Sequence, residues 1–296
     1  MTAERSEFLK SFDGTDIFFR CFTPKKTEKD GAKIDGLVLA VHGFGEHSGR
    51  YAHVAQAVCS RNLAFACFDL RGHGKSGPRK GDAENLHALV LDVLFVINHA
   101  RSILGLSQTT GEFFGILGHS FGGLLVTYAA AILNESCPPI FLSSPCYRVS
   151  QTVPAWKMFA ARALPRLAPK LQVPVEIIPE FISENPENNQ AYINDELNMF
   201  SISTRLGKIF LDSQDDSTIR NAATLVKAPV TVAHGAIDKL VDSQKTREIF
   251  PLFSAPHSSM TPIEGAGHEI FNELEPARTV ALNLLLKWID NKGYAK

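Results

Sequence analysis

Phe113-Phe114-Gly115-Ile116-Leu117 runs into Gly118-His119-Ser120-Phe121-Gly122, and that into Gly123-Leu124-Leu125-Val126-Thr127-Tyr128-Ala129-Ala130-Ala131-Ile132-Leu133. The first run is apolar and strand-like, and the last is Ala/Leu-rich and helix-like. The pentapeptide between them reads G-x-S-x-G. A strand, a sharp turn and a helix are the setting in which this motif presents a nucleophilic serine on a strained elbow. The flanking glycines remove Cβ atoms that would clash in so tight a turn. Ser120 is therefore the expected nucleophile. The stretch 113–134 has no Asp, Glu, Lys or Arg and is long enough to span a bilayer. A membrane helix would have to carry Gly115, Gly118, His119, Ser120, Gly122 and Gly123 in its first half. A buried strand followed by a buried helix explains the same apolarity.

Outward from this elbow the chain alternates strand and helix. Residues 8–12 and 17–22 flank Asp13-Gly14, a hairpin signal. Strands are expected at 36–41, 63–68, 140–142, 229–233 and 260–263, and helices at 51–60, 84–104 and 276–291. Strands separated by helices imply an α/β fold with a mostly parallel sheet covered on both faces. In such sheets the ligand site lies outside the carboxyl ends of the strands, where every motif here falls. Residues 147–217 break the alternation. They hold Pro154, Pro165, Pro169, Pro174, Pro179 and Pro186 and helical fragments such as 155–164. A long structureless loop is uncommon without function. The expectation is a helical cap inserted at 147–217 into a core made of 1–146 and 218–296.

A serine of this kind needs a base and an acid, which follow it in the order acid, then histidine. The acid should follow the strand at 229–233. Asp238 stands closer to the strand end, and Asp242 resembles a helix N-cap. The base should follow the last strand, where His268 sits in Gly265-Ala266-Gly267-His268; His257 and His234 read as solvated and structural. His268 would take the Ser120 proton, and Asp238 would fix its tautomer. The oxyanion needs two aimed N–H donors. Phe121, next to the nucleophile, and Phe44, in His42-Gly43-Phe44-Gly45, are the expected pair.

Bulk properties narrow the classes. The chain has 296 residues, 45% of them hydrophobic, and a net charge of −1, so charge recruits neither nucleic acid nor an anionic membrane. Five scattered cysteines lack metal or disulfide spacing and read as buried thiols. The polar N-terminus carries no signal-peptide core, which suits a cytoplasmic protein. Gly72-His73-Gly74-Lys75-Ser76-Gly77 mimics a dinucleotide loop but is followed by Pro78-Arg79-Lys80-Gly81-Asp82, not a helix. The position that a phosphate loop would require as glycine is Asp69, and His268-Glu269-Ile270-Phe271-Asn272 lacks the second histidine of a zinc motif. No metal or cofactor is expected.

The run from His42 to Tyr51, then Asp69-Leu70-Arg71-Gly72-His73-Gly74-Lys75-Ser76, the elbow, Asp238 and His268-Glu269 resemble the monoacylglycerol lipase and lysophospholipase branch of the α/β-hydrolase family. The resemblance extends from about residue 12 to the end and is weakest in the cap. It implies an esterase for monoacylglycerols or related single-chain lipid esters. It also implies a polar head-group pocket from Glu46, Arg50 and His119, with Tyr192 near a tyrosine that serves in relatives. Glu46 and Arg50 read equally well as a structural ion pair. The family often carries Met after the nucleophile; Phe121 here keeps the N–H donor. A lysophospholipase, general carboxylesterase, peptidase, acyltransferase or non-catalytic binding protein would share the pattern. Glu176, Glu180 and Glu184 keep the peptidase in view as possible amine partners. Trp156, Met158, Phe159 and Leu164 would suit transient docking of the cap on a membrane surface.

Overall fold

Strands buried on both faces must read as unbroken apolar runs, and this chain supplies several. The computed structural model describes residues 2–25, 33–103, 105, 112–150, 161 and 163–293. Its strands are β1 (Thr2–Lys10), β2 (Asp16–Pro24), β3 (Gly36–Val41), β4 (Ala64–Phe68), β5 (Phe113–His119), β6 (Ile140–Ser143), β7 (Gln172–Pro174), β8 (Ser201–Ser203), β9 (Val230–Gly235) and β10 (Ser259–Ile263). Its named α-helices are α1 (Ala52–Cys59), α2 (Leu86–Ile103), α3 (Phe121–Leu133), α4 (Pro186–Asn194), α5 (Thr204–Asp212), α6 (Asp216–Leu225), α7 (Ser243–Ile249) and α8 (Ala277–Asp290). Every residue of β3, β4, β5, β6 and β9 is buried.

Eight strands form one sheet in the order β1-β2-β4-β3-β5-β6-β9-β10. From β4 to β10 all neighbours are parallel, while β2 is antiparallel to both β1 and β4. The β1–β2 hairpin turns through Asp13-Gly14, with Gly14 at φ +83°. Strand alternation divides the core. Leu37, Leu39 and Val41 face the layer built with α2, α3 and α6, and Val38 and Ala40 face the layer built with α1 and α8. Trp288 of α8 anchors that second layer edge-on against Phe113 and Phe141, at centroid distances of 5.3 and 5.7 Å. The apolar stretch 113–134 is a strand and a helix, as its glycines require. Among the described residues α2 alone is long and apolar enough to cross a membrane. Its Leu89, Val93, Val96 and Ile97 are instead packed in the core.

Between β6 and β9 the chain leaves the sheet after Tyr147, whose buried hydroxyl meets Thr127 Oγ1 at 2.9 Å. It returns as α6, which packs Ile219, Ala222 and Ala223 into the core. The excursion holds the short antiparallel β7–β8 pair, α4 and α5. The helix expected at 155–164 lies almost wholly outside the described residues, so Trp156, Met158 and Phe159 are not placed; residues 163–167 are helical.

Candidate active site

Ser120 stands between the end of β5 and the first residue of α3, at φ +52° and ψ −120°. That backbone region is strained for a residue with a Cβ, at about 1–3 kcal/mol. The surroundings hold it. Ser120 N donates to Ser143 O at 2.9 Å, and its carbonyl accepts from Cys146 N at 2.9 Å and Leu124 N at 3.2 Å. The close approach also explains the motif's glycines. A Cβ at Gly122 would fall 2.3 Å from Val41 O, and one at Gly118 2.8 Å from Gly123 Cα.

His268 and Asp238 come from different strand ends and meet. Asp238 follows β9, and its Oδ1 accepts the N–H groups of Leu240 and Val241 at 2.8 and 3.0 Å. Its Oδ2 lies 2.8 Å from His268 Nδ1. An ionised carboxylate only accepts, so Nδ1 carries the proton and Nε2 is left as the basic nitrogen. Burial acts to raise the Asp238 carboxyl, but His268 and its hydrogen bonds hold it below the ordinary value. Burial acts to lower His268, and the Asp238 charge outweighs it, so the imidazole ends above its usual range. The competing candidates have other places. Asp242 caps α7 by accepting from Gln244 N and Lys245 N, and also binds Arg148. His257 is exposed. His234 is buried with Nδ1 3.8 Å from Asp238 Oδ2, and burial lowers its pKa to about 4.

Ser120 and His268 open on one cavity of about 310 Å³. Among the described residues no hydrogen bond joins them. The loop after β3 abuts the serine, since a Cβ on Gly43 would lie 3.0 Å from Ser120 Cβ. Among the described residues, neither Phe44 N–H nor Phe121 N–H donates to another protein group. The rest of the wall is largely apolar and comes mostly from the excursion, with Val175, Ile177, Ile178, Ile182, Met199 and Phe210 among its members.

The residues expected to bind a head group separate into two sets. Glu46, His119 and Tyr192 line the cavity. His119 Nδ1 lies 3.1 Å from both Ser143 O and Ser143 Oγ; burial, then the neighbouring His268, lowers its pKa to about 4 and keeps it neutral. Arg50 does not line the cavity. It lines a small recess with Glu46, His119 and Glu269, which also line the cavity, and donates to Glu46 Oε2 at 3.0 Å, to Glu269 Oε2 at 2.8 Å and Oε1, and to Asn188 Oδ1 of α4 at 3.0 Å. Its guanidinium also lies 4.7 Å from the Tyr192 ring centroid. Glu46 Oε1 is filled by Gly43 N and Tyr51 OH.

Reading the sequence alone quoted Glu269 in the resemblance without giving it a role, and did not single out Asn188 or Phe210. Glu269 stands beside His268, pairs with Arg50, takes Asn188 and Asn272 amides, and gives its N–H to Ile182 O. Nothing local marks such a partner, since the pair spans 219 positions. Phe210 carried a signal: Leu206, Ile209 and Phe210 share the i, i+3, i+4 spacing of a buried helix face.

Comparison with known proteins shows the family. The chain is 28% identical to the monoacylglycerol lipase of Mycolicibacterium smegmatis, over 98% of both chains. It is 26% identical to the monoglyceride lipase of Homo sapiens, over 96% of this chain and 90% of that one. The solved structure of the Paleococcus ferrophilus monoacylglycerol lipase superposes with a TM-score of 0.77 at 27% identity, over 88% of this chain and 96% of that one. A soluble variant of the Saccharomyces cerevisiae monoglyceride lipase reaches 0.85 at 18% identity, over 99% and 96%, and shares the fold. A family model described as serine aminopeptidase, S33, matches residues 32–275, which run from the approach to β3 almost to α8. The chain therefore belongs to that family of α/β-hydrolases.

Proposed function

We propose that this hydrolase cleaves single-chain lipid esters, foremost monoacylglycerol to fatty acid and glycerol, through an acyl-serine at Ser120. The observation that carries the reading is that His268, paired with Asp238, and a strained Ser120 open on one largely apolar cavity. His268 Nε2 takes the Ser120 Oγ proton as Oγ bonds to the ester carbon. The carbonyl oxygen, now negative, is received by the Phe44 and Phe121 N–H groups. The tetrahedral centre collapses, the bond to glycerol breaks, and His268 returns the proton to the leaving oxygen. Water then attacks the acyl carbon with His268 again as base, the bond to Ser120 Oγ breaks to free the fatty acid, and His268 returns the proton to Oγ. Residues 147–217 act as a cap whose apolar residues receive the acyl chain. Glu46, His119 and Tyr192 face the glycerol end, with Arg50 holding Glu46 in place.

The family description raises an aminopeptidase as a second reading. A free amine needs a carboxylate to meet it. The buried carboxylates at this cavity, Glu46 and Glu269, share the single cation of Arg50, and their oxygens are engaged by amide, hydroxyl and N–H donors. Glu176 lines the cavity but is exposed. The ester reading is therefore favoured. It is tested by hydrolysis of a monoacylglycerol series, a lysophospholipid, a triacylglycerol and an aminoacyl amide by wild type and Ser120→Ala. Monoacylglycerol turnover should dominate and fall by about 10⁴-fold or more in Ser120→Ala. Turnover of the amide alone would replace the lipase reading with the peptidase.

A further inference from the structure

Three aromatic rings from distant parts of the chain meet at one corner of the cavity. Phe44 belongs to the loop after β3, Phe121 opens α3, and Phe210 lies in the last turn of α5. The Phe44 and Phe210 centroids are 4.5 Å apart with a 38° interplanar angle. Phe121 and Phe210 are 5.4 Å apart at 62°, and Phe44 and Phe121 are 5.7 Å apart at 82°. Each ring therefore touches both others, at separations favourable for aromatic pairs. Phe121 is fully buried; Phe44 and Phe210 are partly buried and line the cavity.

The helix that brings Phe210 is itself tied down at its other end. Ser203 caps α5 by accepting from Leu206 N, and Leu206 is buried in the core. Arg205 binds Asp82 through both Nε and Nη2 at 2.6 Å. The loop that carries Phe44 is held on either side of that residue, by Gly43 N to Glu46 and by Met199 N to Gly45 O. Between those points it is the Phe44 ring that makes the contact to α5.

We propose that Phe210 is a positioning residue. Its ring, seated on both Phe44 and Phe121, holds together the two residues whose N–H groups receive the oxyanion. The excursion then sets the geometry of acyl transfer as well as the fit of the acyl chain. This rests on the oxyanion assignment proposed above.

The test is kcat and KM of wild type, Phe210→Tyr, Phe210→Leu and Phe210→Ala on 4-nitrophenyl acetate and 4-nitrophenyl decanoate. Acetate offers one methyl to the wall where decanoate offers a full chain. Misplacement by about 1 Å can lower a rate by about 10²-fold. Phe210→Ala should therefore lower kcat on both esters by a similar factor, about ten- to a hundredfold, with KM for acetate within about twofold. Phe210→Tyr, which keeps the ring, should restore wild-type kcat, and Phe210→Leu should fall between. The proposal is overturned if Phe210→Ala raises KM for decanoate and leaves kcat on acetate unchanged, the mark of a lining residue alone. It is also overturned if Phe210→Leu matches wild type on acetate. Should Phe210→Ala fail to fold, Phe210→Leu carries the same comparison. A wild type whose ester turnover survives Ser120→Ala would bring down the hydrolase assignment itself, a result separate from any Phe210 outcome.

Discussion

The cavity has a charged side and an aromatic side, and each ties the excursion to the sheet by different physics. On the charged side Arg50 of the core joins Glu46 and Glu269 to Asn188 and Tyr192 of the excursion. Close by, His47 Nε2 meets Asp195 Oδ2 at 2.8 Å. On the aromatic side Phe210 leans on Phe44 and Phe121. Buried charges are directional and mutually dependent, so removing one leaves the others uncompensated. Ring contacts are graded, each worth about 0.5–1.5 kcal/mol beyond the area they bury. The charged side should therefore behave as a unit, and the aromatic side as a sum of small contacts. His268 sits beside Glu269 on the charged side, while the rings of the two proposed oxyanion donors meet on the aromatic side.

The largest effect should come from the charge that orients the base. Asp238→Asn should lower kcat about 10⁴-fold through the wrong imidazole tautomer while the fold survives. In the wild type His268 titrates above its ordinary 6.5 because Asp238 favours the imidazolium. With the neutral ring as the proposed base, kcat/KM should rise with pH through a limb centred above 6.5. An acid limb below 6.5 would contradict the pairing as the source of the base.

Next in size is the clamp. Arg50→Met leaves Glu46 and Glu269 buried without their cation and should cost about 3–5 kcal/mol in denaturant unfolding at pH 7. The sign of its pH dependence is a sharper check. Arg50 holds both carboxyls below their ordinary 4.5 against the opposing effect of burial. In the wild type this stability is present above the unfolded pKa and is lost as pH falls through the folded one. The variant's unpaired carboxyls relieve themselves by protonating, so the gap between the two proteins should narrow as pH drops below about 5. A constant gap would mean that Arg50 acts by packing alone.

The smallest effect belongs to the rings. Phe44→Leu keeps an apolar side chain and loses ring contacts with Phe121, Phe210 and His73, and should lower stability by about 1–2 kcal/mol. A loss as large as that of Arg50→Met would erase the distinction between the two sides.

Much of this was legible before any coordinates. The elbow could be read because its signals are local: an apolar strand, glycines where backbones crowd, and an Ala/Leu-rich helix within 113–133. Asp238 and His268 could be proposed because strand ends are periodic features, and Asp242 looked like the cap of α7 that it forms. The resemblance assigns Arg50 to the head-group pocket, and the structure sets it in a small recess with Glu46, His119 and Glu269. Its sequence neighbours offered Glu46, and the deciding partners Glu269 and Asn188 are remote in the chain. Phe210 went unremarked because a helix face shows that it is buried, without showing what it is buried against.

By itself the sequence determined the parallel strands of the sheet, the helices α1, α2, α3 and α8, the strained serine turn and the residue types able to do acyl chemistry. Backbone propensity, hydrophobic period and glycine placement act over a few residues, and so can be read there. Only the tertiary structure decided that Asp238 turns toward His268, that Arg50 clamps the excursion without lining the cavity, and that Phe210 closes on Phe44 and Phe121. Those outcomes depend on which distant segments come within a few ångströms, and on which buried charges and rings satisfy one another once they do.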